Sequence, residues 1–198
     1  PGAESVSVQQ ELDRVIPVIA AVRAELPVVI SIDTSKPEVM RAAIAAGAGF
    51  INDVRALREP GALEVAAAAG VPVCLMHMQG EPRTMQQEPH YADVVAEVRA
   101  FLRERAAACQ TAGIPRDRIV LDPGFGFGKS VAHNLLLLKH LPLVLEDGYP
   151  VLAGLSRKSL IGNLLGLPVD QRLTPSVALA VLAVWQGASI IRVHDVAA

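Results

Sequence analysis

Aromatic side chains are scarce in this sequence: four phenylalanines, two tyrosines and one tryptophan make up 4% of it. With 52% hydrophobic residues overall, the core must be filled by alanine, valine and leucine, the composition of an α/β protein. Cysteine is also nearly absent. Cys74 and Cys109 have no metal-type spacing and read as small buried thiols of a reducing compartment, the cytoplasm. Charge is low, at 19% with a formal net of −2, so no global basic field exists to recruit nucleic acid or an anionic membrane. No run of about 18 uncharged apolar residues occurs in this sequence, which gives no candidate helical membrane span, and no stretch of it reads as a signal peptide. At 198 residues and 20.9 kDa the simplest organisation is one domain. The opening Pro1, with no initiating methionine, leads us to expect an interior piece of a longer chain.

What is present is a rhythm. Helical stripes alternate with short β-branched runs, and five helix patterns end in glycine just before a strand begins: Gly47, Gly70, Gly113, Gly148 and Gly187. Ser7 and Gln10 have capping-box spacing ahead of a helix that contains Pro17. Val28–Ile32, Phe50–Ile51, Val71–Met76, Ile119–Asp122, Val151–Leu155 and Ser189–Asp195 read as strands. Met78–His90 reads as a longer polar loop. Nearly continuous apolar strands alternating with helices predict a parallel sheet covered by helices. An open doubly wound sheet and a closed barrel both satisfy that pattern. An open sheet gathers ligand groups at one switch point, whereas a barrel gathers them at the ends of most strands. Here Asp33, Asn52, His77, Asp122, Lys158, Arg192 and His194 stand at or just past six successive strand ends. That favours a (β/α)8 TIM barrel with two strands not seen.

One segment concentrates chemistry: Asp122-Pro123-Gly124-Phe125-Gly126-Phe127-Gly128-Lys129. A strand ends in a carboxylate, glycines thin the backbone wall, and two phenylalanines offer flat faces for a ring. Asp33, Asn52 and Asp122 supply acceptors that suit a heterocycle with adjacent N–H and amino groups, as in a 2-amino-4-oxo-pteridine. Lys158 adds a cation. Arg192 and His194, two apart on one expected strand, form a local anion site for phosphate or diphosphate. Taken singly, Asp33 also suits a helix cap, Asn52 and Asp53 a turn, His77 a structural histidine, and Arg192 an ion pair with Asp195. Lys129, Lys139, His90, His133 and His140 read as solvated.

Together the segments Ser31–Pro37, Ile51–Val54, Cys74–Gly80, Asp122–Lys129, Ser156–Ser159 and Arg192–Asp195 resemble dihydropteroate synthase, of folate biosynthesis. The resemblance runs through nearly the whole chain. It implies a (β/α)8 barrel, here strands 3 to 8 without the last helix, in a homodimer. It implies condensation of 4-aminobenzoate with (7,8-dihydropterin-6-yl)methyl diphosphate to dihydropteroate and diphosphate, with Mg2+ accompanying the diphosphate and sulfonamides competing with aminobenzoate. By motif, Asp33, Asn52, Asp122 and Lys158 bind the pterin, with Met76 and Gly154 lining its slot. Arg192 and His194 bind the diphosphate, and Phe127, Ser156 and Lys158 border the aminobenzoate. The catalytic set is Asp122, Lys158, Arg192 and His194. The family's magnesium ligand is expected ahead of residue 1, so this chain supplies none. A pterin-binding methyltransferase domain and a non-catalytic pterin-binding partner subunit are the alternatives.

Overall fold

The computed structural model describes residues 6–80, 84–85 and 87–198. Residues 1–5, and part of the polar loop expected at Met78–His90, lie outside them. The chain folds into two compact units.

One unit comprises the described residues up to Met76 together with Glu104–Val120. Helix α1 (Val8–Glu25) opens it with the anticipated capping box: Ser7 Oγ accepts the Gln10 N–H at 3.2 Å, and Gln10 Oε1 accepts the Ser7 N–H at 3.0 Å. Pro17 lies inside α1, which continues past it. Then follow β1 (Ser31–Asp33), α2 (Pro37–Ala46), β2 (Phe50–Asp53), α3 (Ala62–Ala69) and β3 (Val73–Met76). Pro37 stands at the start of α2, where its missing N–H costs nothing. The strands pair in parallel, β1 with β2 and β2 with β3, setting Asp33 opposite Asn52 and Asn52 opposite Cys74. Every residue of β3 is buried, which explains its unbroken apolar run. Helix α4 (Val94–Thr111) ends in this unit, and β4 (Ile119–Asp122), the next strand in the sheet order, begins in it.

The other unit comprises His77–Arg103 and Leu121–Ala198. It holds α5 (Val131–Lys139), α6 (Leu141–Leu145), β5 (Leu152–Ala153), α7 (Ser159–Leu165), α8 (Leu173–Trp185) and β6 (Ile190–Ile191). Leu121 bridges Val151 in parallel, and β5 pairs with β6 in parallel. All five helix-ending glycines adopt positive φ, between 65° and 112°. Both cysteines are free and buried.

Three strands are shorter than their apolar runs suggest. Val28–Ile30 stay outside β1, and Val29 is 77% exposed. Strand β5 stops at Ala153 because the chain turns at Gly154–Lys158, where Arg157 has φ 56°. Its partner β6 therefore stops at Ile191, and Arg192–Asp195 are not strand, contrary to expectation.

Candidate active site

The glycine-rich segment is a tightly tied loop. Gly124, Gly126 and Gly128 have φ of 69°, 80° and 60°, which side-chain-bearing residues resist. A Cβ on Gly128 would lie 2.3 Å from the Gln79 carbonyl oxygen. Asp122 Oδ1 accepts the Gly124 N–H at 2.7 Å, Asn134 Oδ1 accepts the Gly126 N–H at 2.7 Å, and the Tyr91 hydroxyl donates to Gly128 O at 2.8 Å. The two phenylalanines part company. Phe125 is fully buried in the core, so it offers no face to a ligand, which corrects the reading of a paired aromatic surface. Phe127 remains partly exposed, with Lys158 Nζ 4.7 Å from its ring centroid.

Electrostatics centre on Asp122. Burial pushes its pKa up from the ordinary carboxylate value, while Lys158, the Gly124 N–H, Lys129 and Arg192 pull it back. Lys158 is pushed down to about 8, first by burial and then by Arg192, against the stabilising charge of Asp122. Its ammonium donates to Phe125 O. Gly154 leaves bare backbone here: a Cβ on it would lie 3.5 Å from Arg192 Nε and 4.0 Å from Lys158 Nζ. The structure therefore brings Asp122, Phe127, Gly154, Lys158 and Arg192 into one neighbourhood.

Arg192 and His194 sit past the end of β6, both exposed. The Arg192 N–H still reaches Ala153 O at 3.1 Å. His194 is held by Ser156, whose Oγ accepts the His194 N–H at 3.2 Å and lies 3.0 Å from Nδ1. Asp195 pairs with Arg157 through Nε at 2.9 Å and a second bond from Nη2, so the Arg192–Asp195 pair considered from sequence is replaced by Arg157–Asp195. Arg172 secures the same turn, donating to Arg157 O at 3.0 Å and Lys158 O at 3.3 Å.

In the other unit Asp33 and Asn52 stand side by side at strand ends. Asp33 is exposed; Asn52 is buried, and its Oδ1 accepts no hydrogen bond from any described residue. An acceptor left in that state marks a place for a ligand donor. Neighbouring Asp53 is structural. It is fully buried and accepts from the Ser35 hydroxyl and from the Arg55 and Leu57 N–H groups, both at 2.8 Å. Burial raises its pKa against those hydrogen bonds. Met76 is buried at the end of β3.

Lys129 was misread as solvated. It is 3% exposed, and its ammonium touches His77 Nδ1 at 2.9 Å, Gly124 O at 2.9 Å and Phe127 O at 3.0 Å. The signal lay in its position, between a glycine-rich turn and the Ser130 cap of α5. His77 is the satisfied structural histidine anticipated, edge-on to Phe101 with ring centroids 5.0 Å apart. Among the described residues no three of His, Cys, Asp or Glu are grouped to hold a metal ion.

Within the second unit, a buried strand-end carboxylate, a half-buried lysine and an exposed Arg–His pair suit a ligand with hydrogen-bond donors and an anionic tail. Residues 1–194 match the model of the family described as pterin binding enzyme. The chain is 56% identical over 196 residues to dihydropteroate synthase of Escherichia coli (strain K12), covering 99% of this chain and 70% of that protein. The fold matches dihydropteroate synthase of Yersinia pestis, solved with a sulfonamide drug complex, at a TM-score of 0.97 and 52% identity, over 99% of this chain and 71% of that one. It also matches the Xanthomonas albilineans enzyme in complex with 7,8-dihydropteroate, at 0.92 and 57%, over 99% and 72%. The chain belongs to the pterin-binding enzymes and, within them, to the dihydropteroate synthases. Its activity is the transferase reaction anticipated above, in folate biosynthesis.

Proposed function

We propose the following division of labour for that reaction. Asp122 and Lys158 read the pterin together with Asn52 and Asp33, Gly154 and Met76 line its slot, Arg192 and His194 take the diphosphate, and Phe127, Ser156 and Lys158 border the aminobenzoate. The observation that carries this reading is the buried Asp122 carboxylate set against Lys158 and Arg192, with Gly154 keeping the space beside both cations open. The unsatisfied Asn52 Oδ1 adds a second acceptor in need of a donor.

The reaction is displacement at the pterin methylene. The C–O bond to diphosphate breaks ahead of attack, and the electron pair leaves with the diphosphate toward Arg192 and His194. Positive charge growing on the pterin is offset by the Asp122 carboxylate. The aryl amine, a weak nucleophile, is oriented against the Phe127 ring and then loses a proton to the medium. No protein nucleophile is required. Mg2+ enters with the diphosphate as part of the substrate complex. In this chain Arg192 and His194 are the side chains assigned to the leaving diphosphate.

The same reading places the six strands in one (β/α)8 barrel forming a single pterin-binding domain, and the enzyme in the cytoplasm; no helix of the described residues is long and apolar enough to cross a membrane. It also makes the enzyme a homodimer. Sulfonamides bind as mimics of the aryl amine. Arg192→Ala tests the assignment: calorimetry should show weakened dihydropterin diphosphate and an unchanged pterin lacking the diphosphate. Equal losses for the two ligands would make Arg192 structural and reject the assignment.

A further inference from the structure

One buried ammonium in this unit is not used by the reaction. Lys129 carries three N–H donors, and three acceptors surround them at 2.9–3.0 Å: Gly124 O, Phe127 O and His77 Nδ1. His77 O lies further off, at 3.4 Å. With the ammonium donating to Nδ1, the His77 proton sits on Nε2. His77 is itself fixed, since its N–H donates to Asp122 O at 3.0 Å and its ring stands edge-on to Phe101. The two loop carbonyls gripped by Lys129 belong to the residues on either side of the Phe125–Gly126 turn, and the second is Phe127's own.

We infer that Lys129 is a positioning residue for the aryl-amine subsite: tied to His77, its ammonium sets where the 124–128 loop stands and so where the Phe127 ring meets the 4-aminobenzoate. The inference rests on the assignment of Phe127 to aminobenzoate. Of the loop's other ties, Asp122 acts on the Gly124 N–H, Asn134 on the Gly126 N–H, Tyr91 on Gly128 O and Lys158 on Phe125 O, and the Phe127 N–H donates to Gly124 O at 3.1 Å; Lys129 is the side chain that holds the Phe127 carbonyl. Burial, which pushes Lys129 down to about 7, shows how much solvation this contact forgoes. Methionine at this position would keep the volume but leave the Phe127 carbonyl and His77 Nδ1 without this donor, while Gly124 O would keep only the Phe127 N–H at 3.1 Å.

The test compares Lys129→Met, Phe127→Leu and the native enzyme by initial rates and by amide hydrogen exchange of the loop. Lys129→Met should raise KM for 4-aminobenzoate at least fivefold, raise the Kd of the dihydropterin diphosphate by a clearly smaller factor, since Asp122 loses one of the charges that pull its pKa back, and speed exchange at Gly124–Gly128. Phe127→Leu should raise the same KM without speeding exchange. A rise for Phe127→Leu but none for Lys129→Met overturns the inference and leaves the subsite assignment standing. No rise for Phe127→Leu overturns that assignment, and the inference with it. Equal losses of aminobenzoate and dihydropterin binding in Lys129→Met would show general disruption and also overturn it. If Lys129→Met does not fold, His77→Phe serves, because it keeps a ring against Phe101 and removes the Nδ1 acceptor. It should raise the aminobenzoate KM two- to threefold with faster loop exchange, and no change in either would reject the proposal.

Discussion

Replacing Asp122 by asparagine separates recognition from folding. Asp122 Oδ1 already accepts the Gly124 N–H at 2.7 Å, and the asparagine carbonyl can keep that bond, so the loop should hold its shape. What changes is the other side of the group. The carboxylate presents acceptors on both oxygens to the pterin's N–H and amino donors, whereas the amide turns an NH2 toward one of them. Hydrogen bonds to a charged acceptor contribute about 1.5–3 kcal/mol each. Losing one and weakening the other removes about 3–4 kcal/mol, roughly a 100- to 1,000-fold rise in Kd. Stability should move far less, by under about 1 kcal/mol, because a desolvated charge is removed along with its attraction to Lys158. Isothermal calorimetry with (7,8-dihydropterin-6-yl)methyl diphosphate measures the first quantity and thermal unfolding the second. Acid should mimic the substitution in the native enzyme. Because the Asp122 pKa is raised, the carboxylate takes its proton at a higher pH than an ordinary one, and affinity should begin to fall above the usual carboxylate range. A Kd within threefold of native, with unfolding unchanged, refutes the role given to Asp122.

Lys158, lowered to about 8, loses its charge as pH rises through that value, so kcat/KM for the dihydropterin substrate should fall above about pH 8; a profile flat to pH 9.5, followed by diphosphate release, would count against it. Asp53→Ala should cost about 3–5 kcal/mol in denaturant unfolding, at about 1–3 kcal/mol per orphaned buried donor, since the Ser35 hydroxyl and two N–H groups lose their acceptor. A loss below about 1 kcal/mol would show that other acceptors reach those donors. Gly128→Ala should destabilise by at least about 2 kcal/mol through left-handed strain and overpacking against Gln79, and near-native unfolding would show that the Gln79 backbone gives way.

Much of the fold was legible because backbone geometry leaves marks in the sequence. Glycine at residues 47, 70, 113, 148 and 187 announced left-handed helix ends, and each is one. Ser7–Gln10 and Pro37 announced helix starts for equally local reasons. Strand lengths were not legible. An apolar β-branched run says that residues tolerate extension, but pairing depends on the neighbour, and β6 could run no further than β5 did. Asp122, Lys158 and Arg192 stood out because polar groups at strand ends are conspicuous, and the structure brings the three together. Lys129 escaped notice because a lysine after glycines looks solvated, and only tertiary contacts reveal three acceptors waiting for it. Phe125 and Phe127 were indistinguishable by type and spacing. The loop turns one inward and the other outward.

The glycine loop also limits how this enzyme can vary under a drug. Three of its five positions have handedness that penalises any side chain, one of them with a carbonyl where a methyl would go, and Phe125 is locked in the core. On the assignment of Phe127 to the aryl amine, a lineage escaping an inhibitor that imitates it has Phe127 as its foothold on this wall, and a change there must still leave room for the natural substrate.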